Sequence, residues 1–251
     1  MPSQKIIPSI ELSVNQRHTV KVRLILASAS PRRRELLTAL GLPFTVATAA
    51  VDERQRPDEP PAALVQRLSR AKAAAVASRY PGAVIVGADT VVVLDEDVLG
   101  KPADAEDAVR MLRALRGRPH LVYSAVTALH VAAGREATEL SESCVWMRDY
   151  SDGEIAAYVA SGDPLDKAGA YAIQHRGFAP VAGFEGCYAS IMGLPLGHLA
   201  RALAAVGVTT VPVDVAQACQ AATGAVCCLS DTRPGVRHRL RSSRTLVCLP
   251  G

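Results

Sequence analysis

The 251-residue chain has no uninterrupted apolar run that approaches the roughly 18 residues of a membrane-spanning helix. Its first residues also lack the apolar core and cleavage motif of a signal peptide, because charged residues are scattered among short apolar pairs up to position 22. No internal repeat is present. We therefore expect a globular, cytoplasmic protein that does not enter a membrane.

Cysteine pairs of the C-x-x-C type are missing as well. The six cysteines lie at positions 144, 187, 219, 227, 228 and 248. This distribution indicates neither a zinc cluster nor a disulfide framework. We expect reduced thiols.

A continuous basic surface is not indicated either, although the net charge is +4. Residues 217–251 carry five arginines against Asp231, and residues 1–22 carry three basic residues against Glu11, so the rest of the chain has a net charge of −2. A nucleic-acid duplex needs a continuous basic face, whereas local basic groups on a slightly acidic body suit a small anion. We therefore predict no nucleic-acid partner.

Asp89 lies near the middle of an apolar run rich in Val and Ile, at 83–94. Such a run predicts a strand that is buried on both faces. An ionised Asp in that setting costs several kcal/mol unless it is paired or binds a metal. Asp89 is therefore part of a local hydrogen-bond network, a metal ligand or a general base.

A second polar cluster follows a short apolar strand predicted at 22–27. Ser30 can cap the next helix, and Pro31 suits its first turn. A strand that runs into a capped helix start directs free N–H groups at one point, and Arg32 and Arg33 stand beside it. The arrangement indicates an anion site, with an ordinary solvated basic turn as the alternative.

Two further candidates lie between residues 44 and 78. Glu53 follows a strand predicted at 44–51 and is either a metal ligand or a solvated loop charge. Lys72 lies at the edge of the apolar stripe of a helix predicted at 62–78, where a surface lysine is the commoner case.

Two later loops carry the remaining candidates. Lys101 extends from a turn stiffened by its Gly and Pro neighbours and could reach a phosphate as a point charge. The segment 163–174, predicted as a loop passing into a short strand, contains Asp166, Lys167 and Gln174. Gln174 could pair with a nucleobase edge or satisfy buried backbone groups.

The scaffold around these candidates is predicted from simple patterns. A hairpin is expected at 121–148, a strand at 184–192 and a last helix after 193. Apolar periodicity is lost near the C-terminus. We therefore predict a domain at 23–215, a loosely ordered extension at 1–22 and a disordered tail at 216–251.

Five motifs occur in a fixed order along the chain: LILASASPRR at 24–33, GADT at 87–90, GKP at 100–102, DKAGAYAIQ at 166–174 and GLPL at 193–196. Their order and spacing resemble the Maf family of nucleotide pyrophosphatases, over about residues 23–208. The resemblance implies an α/β fold similar to the inosine-triphosphate pyrophosphatases. This fold has an elongated mixed β-sheet flanked by helices, with a cleft between two lobes.

The resemblance also implies roles for the candidate residues. Maf proteins hydrolyse nucleoside triphosphates to the monophosphate and pyrophosphate with a divalent cation, here expected to be Mg²⁺ or Mn²⁺. By resemblance Asp89 is the catalytic proton acceptor, and Glu53 and Asp89 are the metal ligands. The implied phosphate-binding residues are Ser30, Arg33, Lys72, Lys101 and Lys167.

Substrate specificity is implied in the same way. Arg32, Thr90 and Gln174 match the specificity positions of the dTTP/UTP branch, whereas the branch acting on 7-methyl-GTP tends to carry Trp, Gln and Glu there. We therefore predict a nucleoside triphosphate pyrophosphatase for dTTP and UTP, with modified pyrimidine nucleotides as further candidate substrates and a homodimer as a candidate assembly.

The chain departs from the family pattern at a few positions. Ala172 and His175 replace glycines that are usual near Gln174, and Ser124 and Ala125 stand where Thr-Gly is common.

The alternative function is a catalytically weak, nucleotide-binding regulatory protein that affects cell division.

Overall fold

The computed structural model describes residues 10–15, 18–208, 212–228 and 237–239. The strands are β1 Ile10–Asn15, β2 His18–Leu26, β3 Phe44–Val46, β4 Ala83–Leu94, β5 Asp97–Leu99, β6 Pro119–His130, β7 Arg135–Met147, β8 Val181–Glu185 and β9 Arg237–Arg239. The α-helices are α1 Pro31–Ala39, α2 Pro61–Ala77, α3 Ala105–Leu115, α4 Asp152–Ala160, α5 Tyr188–Ile191, α6 Leu196–Ala205 and α7 Val215–Thr223. Two 3₁₀ turns follow α4, at Asp163–Asp166 and Ala168–Ala170.

The strands of the described residues join one mixed sheet in the order β1-β2-β4-β6-β7-β8-β9, with β3 beside β2 and β5 beside β4. β2 runs parallel to β3 and β4, and the other neighbours are antiparallel. Apolar residues of α1, α3 and α6 form the main core with one face of the sheet, and α2 packs on the other face. The predicted α/β fold, a mixed sheet flanked by helices, is confirmed.

The edge of β4 that faces β2 is open in its middle. β4 pairs with β2 up to Val86 and with β5 from Val92 onward, so the described residues leave 87–91 without a strand partner on that edge. The chain after β2 turns away into α1 at this point. Asp89, only 6% exposed, lies in the middle of the gap.

Gly87 allows α2 to approach β4 closely. A Cβ atom at this position would lie 2.1 Å from the Ser69 carbonyl oxygen and 2.9 Å from the Ala73 nitrogen, both backbone atoms of α2. Backbone atoms cannot move aside as the end of a flexible side chain can. Glycine at 87 therefore determines how near α2, and Lys72 on it, lies to the strand.

Replacing Gly87 by Ala should therefore push α2 away from β4 and lower the free energy of unfolding by about 3 kcal/mol. The Gly82→Ala variant is the matched control, because a Cβ at Gly82 meets no atom within 4 Å. Urea unfolding of both variants measures the difference. Equal midpoints for the two variants would contradict the packing argument.

His120 is buried in the main body of the fold without a charged partner. It is 3% exposed, and its Nε2 atom lies 2.8 Å from the Tyr171 hydroxyl. Its Nδ1 atom has no hydrogen-bond partner among the described residues. Burial lowers the pKa of His120 from 6.5 to about 3.

His120 should make the protein less stable in mild acid. The unfolded chain takes up a proton on His120 below pH 6.5 while the folded protein does not, so the free energy of unfolding falls as the pH drops towards 3. The slope from this residue is about 1.4 kcal/mol for each pH unit. Chemical unfolding between pH 7 and pH 4 should show a shallower decline for His120→Gln than for the unmodified chain, and identical slopes would refute this origin.

Three predicted elements differ from the observed ones. The strand predicted at 44–51 ends at Val46. The segment 163–174 contains the 3₁₀ turns and no strand, because Gly169 and Ala170 adopt positive φ angles of 67° and 58° that a strand does not allow. The strand predicted at 184–192 ends at Glu185 and gives way to α5. Gly186, with a φ angle of 103°, separates the strand from the helix.

The ends of the domain also differ from the prediction. The expected extension at 1–22 contains β1 and the first part of β2, and the rest of it, at 1–9 and 16–17, lies outside the described residues. The expected tail at 216–251 begins with α7, which is capped by Asp214 and buries Cys219 against the core. Residues 229–236 and 240–251 lie outside the described residues.

Reduced thiols were expected throughout the chain. Cys187, Cys219, Cys227 and Cys228 are free thiols. Cys144 in β7 is disulfide-bonded, so the expectation was wrong for this residue. Among the described residues, no helix combines the length and the apolar character needed to cross a membrane.

Candidate active site

A cleft of about 650 Å³ opens at the unpaired stretch of β4. Its walls come from the β2–α1 loop, the start of α1, α2, β4, the Lys101 turn, the segment around the 3₁₀ turns and the end of α5. Every site residue predicted from the sequence lines it: Ser30, Arg32, Arg33, Glu53, Lys72, Asp89, Thr90, Lys101, Lys167 and Gln174.

Lys72 joins the two predicted metal ligands. Its Nζ atom lies 2.6 Å from Asp89 Oδ1 and 2.8 Å from Glu53 Oε1. Burial would raise the pKa of Glu53, but the hydrogen bond from Lys72 and the positive charges of Lys72, Lys101 and Arg33 outweigh it and leave the pKa below its usual value. The ammonium group therefore offsets two carboxylates on the α2 face of β4.

The first turn of α1 faces the cleft as the cap pattern predicted. Ser30 is the N-cap, and its hydroxyl accepts a hydrogen bond from the Arg33 backbone N–H at 3.5 Å. Pro31 occupies the first turn. Pro31 has no N–H, and the N–H groups of Arg33 and Arg34 are used by the Ser30 hydroxyl and carbonyl. The Arg32 N–H is therefore the donor of this turn that remains for an anion.

The Arg33 guanidinium is held by protein acceptors. Nε donates to the Gly193 carbonyl at 2.9 Å, and Nη1 donates to the Ala88 carbonyl at 2.8 Å and to Ser28 Oγ at 3.3 Å. Nη2 lies 3.5 Å from Thr90 Oγ1. Most of its five N–H donors are thus used within the protein. Arg33 ties the β2–α1 loop and the end of α5 to β4 beside Asp89.

Replacing Arg33 by Lys should loosen this junction, because one ammonium group cannot reach acceptors on three segments at once. We expect a loss of about 2 kcal/mol in the free energy of unfolding. Arg34→Lys, at the exposed neighbouring position, is the control and should stay close to the unmodified chain. Thermal unfolding of the two variants provides the measurement, and equal stability would contradict the role of the guanidinium hydrogen bonds.

Lys167 and Arg32 share an acidic loop. Lys167, 6% exposed, places Nζ 2.9 Å from Asp163 Oδ1 and 2.7 Å from Asp166 Oδ1. Arg32 lies 3.5 Å from the other Asp166 oxygen. Burial would raise the pKa of Asp166, but the Lys167 hydrogen bond and the Arg32 charge lower it overall. Lys167 therefore supports the loop and, through Asp166, Arg32.

The side chains of Lys101 and Gln174 make fewer polar contacts within the protein than the other site residues do. Lys101 is exposed, and no carboxylate among the described residues forms an ion pair with it. Its turn is joined to the 3₁₀ segment by the Gly169 N–H, which donates to the Gly100 carbonyl at 3.0 Å. Gln174 is partly buried, and its side chain lines the cleft. Both groups can meet a ligand.

Several functional contacts were not predicted from the sequence. Ser28 and the carbonyls of Ala88 and Gly193 hold Arg33, and Ser124 contacts Thr90. Gly193 belongs to a quoted motif, and its φ angle of 111° explains the glycine there. A backbone carbonyl carries no residue-type signal, so sequence patterns could not identify these acceptors.

The oxygen donors of Glu53 and Asp89 suit Mg²⁺ or Mn²⁺. Both carboxylates reach one point, which Lys72 Nζ contacts in this structure. No group of three or more His, Cys, Asp or Glu side chains in the described ranges could hold a metal ion without other ligands. Mg²⁺ is commonly bound by one or two carboxylates with substrate phosphates and water, and the residues fit that arrangement.

The site residues lie within a region that matches a known family. The family model described as Maf-like protein matches residues 23–206. The chain belongs to the Maf family. Its fold is thus that of a Maf protein, as the motifs predicted.

Curated relatives from several bacteria are similar to this Maf protein. The dTTP/UTP pyrophosphatase of Moorella thermoacetica is 50% identical over 186 residues, which are 74% of this chain and 96% of that protein. That of Pelotomaculum thermopropionicum is 48% identical over 72% of this chain and 94% of its own length. That of Myxococcus xanthus is 50% identical over 73% and 92%, respectively.

Proposed function

We propose that this Maf protein hydrolyses dTTP and UTP to the nucleoside monophosphate and pyrophosphate. The observation that carries the proposal is the meeting of Asp89, Lys72 and the start of α1 in one cleft. The chain is about 50% identical to curated dTTP/UTP pyrophosphatases, and this similarity supports the same activity.

The charges in the cleft suit a polyphosphate. Lys101 lines the cleft from its turn, Arg32 from the first turn of α1, and Lys72 from α2. Phosphate oxygens can accept hydrogen bonds from these groups and from the backbone N–H of Arg32. We assign the triphosphate to the space between them.

Asp89 is placed to take the proton of the attacking water. Lys72 holds Oδ1, and no hydrogen bond to a described residue occupies Oδ2. As water attacks the α-phosphorus, its proton passes to the Asp89 carboxylate, the bond from the α-phosphorus to the bridging oxygen breaks, and pyrophosphate leaves. In this structure Lys72 orients the carboxylate through Oδ1.

Glu53 and Asp89 would hold the divalent cation of the proposed reaction. The cation would neutralise charge on the phosphate oxygens and make the α-phosphorus more susceptible to attack by water. Lys72 contacts the same carboxylate oxygens, so it must share them with the cation or move aside towards the phosphates.

Base selection is assigned to Arg32, Thr90 and Gln174. Thr90 points to the face of β4 opposite to Asp89, because successive strand residues alternate. It lies beside Gly193, since a Cβ built on this glycine would be 3.6 Å from Thr90 Oγ1. Gln174 offers an amide with both donors and an acceptor, as a uracil or thymine edge requires.

Replacing Asp89 by Asn keeps the shape of the side chain but removes its ability to accept a proton. We expect pyrophosphate release from dTTP and UTP to fall by about 100-fold or more. The variant should still fold, because Lys72 keeps its ion pair with Glu53. The assay compares a panel of nucleoside triphosphates with Mg²⁺, with Mn²⁺ and with EDTA.

Asp95→Asn is the control for this experiment, because Asp95 is exposed and pairs with Arg118 rather than with a site residue. It should retain the activity of the unmodified chain. Full activity of Asp89→Asn would refute the proposed base. Tight dTTP binding without turnover in either metal would refute the hydrolase and favour a nucleotide-binding regulatory protein.

A further inference from the structure

A buried chain of hydroxyl groups lies behind Thr90. Ser124 of β6 is directly opposite Thr90 of β4 in the antiparallel register and has no exposed surface. Ser124 Oγ lies 2.7 Å from Thr90 Oγ1 and 2.8 Å from the carbonyl oxygen of Ser190 in α5. Thr90 itself is partly exposed and lines the cleft, so this chain connects the cleft wall to a buried acceptor.

The contacts determine the direction of the hydrogen bonds. A carbonyl oxygen only accepts, so the single hydroxyl hydrogen of Ser124 is used by Ser190. In the contact between the two hydroxyls, Thr90 must therefore donate and Ser124 must accept. Arg33 Nη2, 3.5 Å from Thr90 Oγ1, can only donate. The hydrogen of Thr90 is thus directed into the protein, and a lone pair remains for the cleft.

We propose that Ser124 is a positioning residue that holds the Thr90 hydroxyl as a hydrogen-bond acceptor and so selects uracil and thymine over cytosine. In a nucleotide, the only N–H donor on a uracil or thymine ring is N3–H. In cytosine the same atom is an acceptor, and two acceptors would face each other. The proposal rests on the proposed dTTP and UTP hydrolysis and on Thr90 facing the base.

Replacing Ser124 by Ala tests directly whether Ser124 keeps the Thr90 hydroxyl as an acceptor towards the cleft. Thr90 then loses the group that accepts its hydrogen, and its hydroxyl can turn to donate to N3 of cytosine. The ratio of kcat/KM for dTTP to that for dCTP should fall on the order of tenfold, mainly through better use of dCTP. Pyrophosphate release from both nucleotides by the full chain gives the ratio.

Ser69→Ala is a matched control. Ser69 of α2 is equally buried, donates to the Gln66 carbonyl and contacts the Thr127 hydroxyl at 2.8 Å, but it does not line the cleft. It therefore repeats the pattern of Ser124 away from the base. Its variant should keep the dTTP-to-dCTP ratio of the unmodified chain.

Thr90→Val separates positioning from packing. This variant removes the acceptor and should lower the ratio by itself. If Ser124 acts through Thr90, adding Ser124→Ala to Thr90→Val changes the ratio no further. A residue that only filled space would lower activity on both nucleotides equally and would add to the effect of Thr90→Val.

An unchanged ratio in Ser124→Ala, or an equal fall in Ser69→Ala, overturns the proposal. If Ser124→Ala does not fold, Ser124→Cys keeps a side chain of similar size with weak hydrogen bonding and should shift the ratio in the same direction. If the unmodified chain releases no pyrophosphate from dTTP or UTP, the proposed function fails. The ratio of dissociation constants for dTMP and dCMP then decides the polarity proposal by itself.

Discussion

The burial of one carboxylate in a central strand is the constraint on which the site depends. Asp89 is 6% exposed, and a lone buried charge of this kind would cost several kcal/mol. Lys72 compensates it at 2.6 Å, which requires α2 to lie against β4. Gly87 permits that approach two residues before Asp89. The helix, the glycine and the ion pair are therefore parts of one arrangement.

Successive side chains of β4 point to opposite faces of the sheet, so Asp89 and Thr90 have different contacts. Asp89 meets Lys72 of α2, while its neighbour Thr90 meets Arg33 and Ser124. Arg33 also binds the carbonyl of Ala88, so one guanidinium supports the backbone before Asp89 and the side chain after it. Because the strand edge is open at 87–91, both residues reach the same cleft.

Much of the fold around the cleft could be predicted from local sequence patterns. The buried strand at 83–94 and the α1 start capped by Ser30 are both observed. Caps and apolar periods act over a few residues, so the local sequence contains the information. Loops were predicted less well, because positive φ angles interrupt 163–174 and 184–192. The helix α7 was not predicted, and it buries Cys219 among apolar residues that are distant in sequence.

By itself the sequence indicated which residues line the cleft, since the motifs and the charged Asp89 within an apolar strand are visible in it. Only the tertiary structure decided what each residue contacts. Arg33 reads as a phosphate ligand beside a helix start, yet it binds the carbonyl of Gly193, 160 positions away. Ser124 reads as a departure from a pattern, yet it orients Thr90 across two strands. Hydrogen-bond partners depend on how distant segments pack, and no local pattern encodes that geometry.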